Sequence, residues 1–305
     1  MNTKLIQLRQ ITAAPLTVCK SSLEESNGDL DKAVDLIKIK GQNIILGEMI
    51  SSEGKIIIRG TDRISVMIEI NTATDFAANS SDFTNFSNDT AQILFDKVEK
   101  NETFDPAQVE DARKALVATT KENIVVRRWW AEQAVSPMAR VFVYLHSNCK
   151  IGVILTLLAP SEEARNSKDF YDLGENLAMQ VAAMNPLAID VERLSGDEVA
   201  RQKAIFEQQL TDLKKPQTAW PKILEGKFRK WHSEVCLMEQ ESVWVPKTSV
   251  KQVVANVGTV LGGEIKVVTM LRCQVGEGVE VKKDNLADEV NKLIVDQAYG
   301  PDKRK

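Results

Sequence analysis

The stretch ISVMIEINTATDFAANSSDFTNF, residues 64–86, passes from an alternating pattern through an acidic-aromatic loop into a helical pattern. Every second position at its start carries an apolar β-branched side chain: Ile64, Val66, Ile68 and Ile70. This period of two predicts a half-buried strand over residues 64–71. The other predicted elements are arranged around this strand and the loop that follows it.

Phe76, in that loop, is open to two interpretations. Because most phenylalanine side chains in folded proteins are buried, composition alone favours a ring that turns back into the core. Its neighbours in sequence, however, are short side chains such as Ala77 and Ala78, which offer little to bury a large aromatic. The alternative is that Asp75 and Phe76 form a rigid tip that enters a partner.

The flanking residues predict a hairpin covered by a helix. Residues 55–59 pair with residues 64–71 through a turn at 60–63, which gives an antiparallel hairpin. Asp82 is expected to cap the helix that follows. The inward face of that helix carries five apolar side chains: Phe83, Phe86, Ile93, Leu94 and Val98.

A further helix and a strand complete this first unit. Pro106 suits a first helical position, and the helix is expected to end near Glu122. Residues 124–130 then predict a strand. Trp129 and Trp130 must point to opposite faces of any strand, so at least one of them is expected at a boundary between layers.

The same order of elements then repeats. Residues 141–146 and 151–159 predict a second hairpin, and Ser167 leads into a second helix. The buried stripe of that helix is expected to hold Phe170, Leu173, Leu177, Val181 and Met184. We therefore predict an α+β fold with two subdomains, each an antiparallel sheet covered by helices, divided near Pro137.

A pair of helices is inserted into the second unit at about residues 195–235. Ser195 and Glu198 form a capping-box pattern, and the chain returns in a second helix from about Trp220. The apolar positions of the pair are Val199, Phe206, Leu210, Leu213, Ile223, Leu224, Phe228, Trp231 and Val235. An antiparallel helical hairpin of this kind serves either as packing or as an association surface, including a homodimer contact.

The two ends of the chain predict helices of their own. Residues 1–41 contain three short amphipathic segments, which indicates a three-helix docking module. Residues 42–137 and 138–283 are the predicted core subdomains. Residues 284–305 form a predicted C-terminal helix and tail.

Composition limits the classes of function. The 305 residues carry a net charge of −4, which argues against an affinity for nucleic acid based on neutralising phosphates. The longest apolar run, residues 151–159, is too short to cross a membrane, and the first residues lack a leader pattern, so we expect a cytoplasmic protein. Four scattered cysteines and two histidines predict neither a metal site nor a cofactor.

Catalysis by the chain itself has few candidate residues. Asp75 and His146 are the residues that would form an acid/base pair, with Cys149 as a nucleophile. The sequence contains no nucleophile elbow, P-loop or dinucleotide-binding glycine motif after a strand. We therefore predict no enzyme activity, and a scaffold function remains as a further alternative.

Several motifs in a fixed order resemble one family. They are the opening LRQITAAPLTVCKSSLEESNGDLDKAVDLIKIKG, then NTATDFAAN, ENIVVRR, H-x-x-x-K-I-G-V, LAMQVAAMNP and finally CQVGEGVE. In this order they resemble elongation factor Ts, the nucleotide exchange factor of translation elongation factor Tu. The resemblance runs from Lys4 to about Val290.

The resemblance implies a function and a set of contact residues. It implies a ubiquitin-associated-like N-terminal module, in which Leu16 and Lys20 would contact the GTPase domain of elongation factor Tu. It also implies that Thr74, Asp75 and Phe76 form a tip that enters this partner beside its magnesium and phosphate site. His146 would be a second contact. Exchange of this kind needs no covalent chemistry.

Overall fold

The computed structural model describes residues 4, 16–30, 32–33, 36 and 51–279. In the N-terminal part it contains helix α1 (Leu16–Glu25), and Leu23 and Ala33 are buried. Positions 4, 30, 32–33 and 36 are also helical. The other residues of the predicted three-helix module and the predicted C-terminal helix lie outside the described residues.

The central part of the chain forms two three-stranded antiparallel sheets, with strand orders β1-β2-β3 and β4-β5-β6. The strands are β1 (Glu53–Gly60), β2 (Ile64–Thr72), β3 (Val125–Gln133), β4 (Ala139–Leu145), β5 (Ile151–Leu158) and β6 (Lys266–Gln274). Both predicted hairpins are confirmed, with Ile57 opposite Ile68 in the first and Val143 opposite Ile154 in the second.

Helices cover the outer faces of the sheets, which makes the fold α+β as predicted. A 3₁₀ turn, Pro106–Val109, precedes α4. The helices are α2 (Asp75–Ala78), α3 (Ser81–Glu99), α4 (Glu110–Thr120), α5 (Glu162–Arg165), α6 (Lys168–Met184), α7 (Gly196–Asp212), α8 (Trp220–Val235) and α9 (Val250–Val260). Among the described residues, no helix is both long and apolar enough to cross a membrane.

Three details of the predicted helices were wrong. Ser80, rather than Asp82, caps α3, because its backbone is extended and its hydroxyl accepts the N–H of Phe83 at 3.2 Å. Met184 is exposed, since it is the last residue of α6 and no further turn extends the buried stripe. Leu213 is exposed because it follows the last turn of α7, at the end of the helical hairpin.

Strand β2 is central and buried on both faces, so the prediction of a half-buried strand was wrong. One face, with Val66 and Ile68, packs against helix residues such as Phe83. The other face, with Met67, packs against the second sheet. The alternating pattern correctly predicted that the face with Val66 and Ile68 is buried. The other face was expected in solvent, but the second sheet covers it.

The two sheets meet in a small apolar core. It contains Ile56, Met67, Val141, Ile154 and Cys273. Trp130 packs against this core, which confirms the expected boundary tryptophan, while Trp129 lies edge-on to Phe104 with ring centroids 5.3 Å apart. A Cβ atom at Gly152 would lie 2.6 Å from the sulfur of Met67, so only glycine permits this close approach of the sheets.

A buried carboxylate also ties the two sheets together. Glu69, on β2, has no exposed surface. It accepts hydrogen bonds from Arg127 at 2.9 Å, from Arg128 and from the backbone N–H of Gly276 at 2.8 Å. Gly276 lies two residues after β6. The cluster therefore ties the first sheet to the end of the second and joins residues from two of the family motifs, ENIVVRR and CQVGEGVE.

The connection between the sheets is held by Arg63. Its guanidinium donates to the carbonyl oxygens of Ser136, Ala139 and Ala134 at 2.7, 3.0 and 2.9 Å. The chain passes from the first sheet to the second here, between Gln133 and Ala139. The predicted division of the chain into domains at this point stays a prediction.

The inserted residues form the predicted antiparallel helical hairpin. The capping box of Ser195 and Glu198 is present at the start of α7. The rings of Phe206 and Phe228 pack edge-on at 5.3 Å between the two helices. No residue of α8 is fully buried, so the hairpin projects from the core and is held chiefly by contacts within itself and at its base.

Candidate functional site

The predicted tip is a single helical turn, α2, rather than an irregular loop. Thr74 has an extended backbone, and its hydroxyl accepts the N–H of Ala77 at 3.2 Å, as an N-cap does. At the other end the hydroxyl of Ser80 donates to the carbonyl of Ala77 at 2.8 Å. Since Ser80 also caps α3, the turn is joined directly to the helix that covers the first sheet.

The turn buries one side and exposes the other. Ala77 and Ala78 are buried, with 8% and 1% of their surface exposed, whereas Phe76 is 86% exposed. Asp75 is exposed as well. The interpretation of Phe76 as a core residue was therefore wrong, because the short alanine side chains pack inward and the helical turn directs the ring into solvent.

Glu122 supports the tip from a distant part of the chain. Its carboxylate accepts the hydroxyl proton of Thr74 at 2.9 Å, and its second oxygen lies 3.5 Å from the hydroxyl of Thr72. Sequence reasoning did not select this residue as part of the site. The sequence feature that could have indicated Glu122 is its position as the first residue of the ENIVVRR motif. The prediction for this motif was a strand that began only at Ile124.

His146 begins the turn between β4 and β5 and is exposed. Its Nδ1 lies 3.0 Å from the hydroxyl of Tyr144, and its carbonyl accepts the N–H of Cys149 at 2.7 Å. Cys149 has a left-handed backbone with φ of +56°. This conformation favours glycine, so the side chain at Cys149 makes the backbone of this turn less favourable.

This turn lies at the same end of the molecule as the tip. The carbonyl of Cys149 accepts the N–H of Ile56 at 2.7 Å, and Lys150 forms an ion pair with Glu53 at 2.5 Å. Glu53 is paired with Thr72, the last residue of the strand that precedes the tip. The structure therefore brings the tip and the His146 turn to one end of the first sheet.

The remaining predicted contacts lie on α1. Lys20 is exposed on this helix, and Leu16 is its first residue, with a side chain outside the described set. Thr74, Asp75 and Phe76 are consecutive in the tip, and the turn that carries His146 lies at the same end of the first sheet.

The residues considered for catalysis are engaged differently. The side-chain bond of His146 is to Tyr144, and Asp75 lies in the first turn of α2. Cys149 is partly buried in the turn after β4, and its backbone is hydrogen-bonded to His146 and Ile56.

Cys236 and Cys273 were not candidates for catalysis; burial raises the pKa of their thiols to about 11 and about 12, so both stay protonated near neutral pH. Within residues 51–279 and the described N-terminal residues, no cluster of His, Cys, Asp or Glu has a metal-binding arrangement.

Comparison with known proteins identifies the family. The family model "Elongation factor TS" matches residues 73–277, which include the tip, the His146 turn and the helical hairpin. The chain belongs to the elongation factor Ts family.

Similarity to individual members extends over nearly the whole chain. Elongation factor Ts of Clostridioides difficile (strain 630) is 34% identical over 299 residues, covering 94% of this chain and 96% of that relative. The protein of a Nitratiruptor species is 33% identical, covering 93% and 95%. That of Francisella tularensis subsp. novicida is 33% identical, covering 96% and 98%.

Membership of the elongation factor Ts family carries a function with it. The family that these matches name is one of nucleotide exchange factors for elongation factor Tu. The exposed tip and the His146 turn both lie within the residues that the family model matches.

Proposed function

We propose that the chain speeds release of GDP from elongation factor Tu by inserting the Asp75–Phe76 tip beside the magnesium and phosphate site of that partner. The observation that carries this proposal is the 86% exposure of Phe76 on a turn that is capped at both ends. An aromatic ring held in water is costly to the isolated protein and becomes favourable when a partner pocket desolvates it.

The geometry supports a wedge. Ala77 and Ala78 are the buried residues of α2, so Phe76 has almost no packing in its own chain to lose on binding. A turn with a fixed direction also saves the entropy that a flexible loop would lose when it binds. The ring can therefore displace groups of the partner instead of folding back onto its own chain.

Exchange then follows from coupled binding. Backbone amides and magnesium hold the phosphates of a bound nucleotide, so a side chain that displaces either weakens the affinity for GDP. The coupling is reciprocal, because a factor that prefers the nucleotide-free partner is itself released when nucleotide binds again. No acid, base or metal of the factor is required.

The other site residues supplement the wedge in this proposal. Asp75 provides a polar contact beside the ring, and Thr74 shapes the turn. His146 contacts the partner from the neighbouring turn, which lies at the same end of the sheet. Lys20 and Leu16 bind the GTPase domain from the N-terminal module.

The test is release of fluorescent GDP from elongation factor Tu, with Phe76→Ala compared with Val135→Ala. Val135 is 93% exposed and lies in the chain segment that connects β3 to β4. Its substitution therefore controls for the loss of an exposed apolar side chain. We expect Phe76→Ala to weaken exchange by about 30-fold or more, since an aromatic anchor contributes ~2 kcal/mol or more.

Thermal unfolding of the same variants supplies the second readout. A buried phenylalanine replaced by alanine typically costs ~3 to 5 kcal/mol, whereas an exposed one leaves the melting temperature nearly unchanged. Retained exchange in folded Phe76→Ala, or no acceleration of GDP release by the parent chain, contradicts the proposal.

A further inference from the structure

The hydroxyl of Thr74 makes two hydrogen bonds that depend on each other. It accepts the N–H of Ala77 at 3.2 Å and donates its only proton to Glu122 at 2.9 Å. A hydroxyl rotates freely unless its proton is held, and its lone pairs turn with the proton. The carboxylate of Glu122 therefore aims a lone pair of Thr74 at the first turn of the tip.

Glu122 reaches this point because of the turn that ends α4. That helix stops at Thr120, Lys121 takes a left-handed conformation with φ of +59°, and the N–H of Glu122 donates to the Thr120 hydroxyl at 3.3 Å. Its second carboxylate oxygen lies 3.5 Å from the Thr72 hydroxyl. One carboxylate thus spans the place where β2 ends and the tip begins.

We propose that Glu122 is a positioning residue for nucleotide exchange, which holds the Thr74 cap and thereby the direction of the Phe76 ring. This inference rests on the proposed function of the tip. Because Phe76 has almost no packing of its own, its direction depends on the backbone of α2 alone. The buried Ala77 and Ala78 and the Ser80 hydroxyl hold the last residues of the turn. The Thr74 cap, oriented by Glu122, holds its start.

The role differs from general support of the fold. Glu122 and Thr74 are both only partly buried, so loss of their hydrogen bond is expected to change global stability little. The hydrogen bond between Glu122 and Thr74 acts on one helical turn, α2, whose N-terminal side-chain cap is Thr74. Its loss should therefore appear as local opening of the tip.

The first measurement is hydrogen exchange at the Ala77 amide in the free, full-length protein. The variants are Glu122→Ala, Glu122→Gln and, as a control, Asp111→Ala, an exposed carboxylate on α4. We expect Glu122→Ala to speed exchange at Ala77 about fivefold, the usual effect of losing an N-cap contact. Glu122→Gln keeps an acceptor oxygen and should stay within about twofold of the parent, as should Asp111→Ala.

The second measurement is GDP release from elongation factor Tu. Glu122→Ala should slow the stimulated release about fivefold, and Glu122→Gln should restore most of it. In the Phe76→Ala background, Glu122→Ala should cause no further loss beyond about twofold, because a residue that acts only through the ring has nothing left to position.

The outcomes separate the two proposals. If the parent chain does not accelerate GDP release, the function proposed for the tip is wrong and with it any role of Glu122 in exchange. The Ala77 measurement still decides whether Glu122 holds the turn. Unchanged Ala77 exchange in Glu122→Ala, or a further loss on top of Phe76→Ala, overturns the positioning role even if the parent is active.

Discussion

Glu69 shows how a single buried residue connects the two sheets. Burial alone would raise the pKa of its carboxyl, but hydrogen bonds from the Gly276 N–H, Arg128 and Arg127 outweigh burial and lower the pKa below its usual value of 4.5. The carboxylate is therefore ionised in the folded protein. A charge buried without these three donors would not be tolerated at this position.

Glu69→Gln is expected to lower the free energy of unfolding by about 2 to 3 kcal/mol, because it removes the buried anion that both arginines share, although Arg128 keeps an ion pair with Glu277 at 3.5 Å. This lies somewhat below the usual cost of breaking a buried ion pair, since both guanidinium groups are partly exposed to water. Urea unfolding at pH 7 measures the change. Glu163→Gln, at an exposed glutamate, is the control, and an equal loss in both variants would contradict the assignment.

The lowered pKa of Glu69 also predicts how the free energy of unfolding depends on pH. Because the pKa of Glu69 is lower in the folded state, its contribution to stability is present above the unfolded value of about 4.5 and is lost as the pH falls through the lower, folded value. The parent should therefore lose stability more steeply than Glu69→Gln as the pH is reduced below about 4.5. Parallel curves for the two proteins would argue against this linkage.

At the scale of elements, the helical hairpin is held to the core mainly at its base. Its helices pack on each other through Phe206 and Phe228, while Leu194 and Cys236 are buried together at its base. We propose that the exposed faces of this hairpin associate two copies of the chain. Such an association would leave the tip free, since the wedge belongs to a different element.

Replacing residues 195–235 with a short Gly-Ser linker tests this division of roles. The base residues Leu194 and Cys236 remain, and their shared cluster indicates that a short linker can close the gap. We expect GDP release to stay within about threefold of the parent, because distant sites act nearly independently. Sedimentation should show weaker self-association, and lost exchange in a folded variant would instead place active contacts on the hairpin.

At the scale of the whole molecule, the tip and the N-terminal module are expected to act as two linked contacts. Within the described part of the module, the Lys4 ammonium group donates a hydrogen bond to the carbonyl of Gly28 at 2.8 Å, which links the start of the module to the residues after α1. Leu23 and Ala33 are buried. Two linked contacts bind more tightly than either alone, because the second binds at a high effective concentration.

Deletion of residues 1–41 should therefore leave a folded remainder that binds elongation factor Tu about tenfold more weakly, a loss of ~1.4 kcal/mol. The maximal rate of GDP release at saturating factor should change less than the half-saturating concentration. Titration of fluorescent GDP release measures both quantities, with thermal unfolding as the control for folding. Unfolding of the truncated chain, or unchanged half-saturation, would refute the docking role.

Local patterns in the sequence determined the fold class, both hairpins and the helical hairpin with its capping box. These features depend on periodicity and on contacts between residues close in the chain, so they can be read without a structure. The ordered motifs also pointed to the family. The misplaced cap of α3 was an error of two residues within the same local signal.

Only the tertiary structure decided which faces are buried and what holds the tip. Met67 and Glu69 looked like the solvent side of a strand, and the second sheet covers them. Phe76 was ambiguous until the burial of Ala77 and Ala78 set the direction of the turn. Glu122 was missed because it meets Thr74 across 48 residues of sequence. Such contacts arise from packing between distant segments, which leaves no periodic trace in the chain.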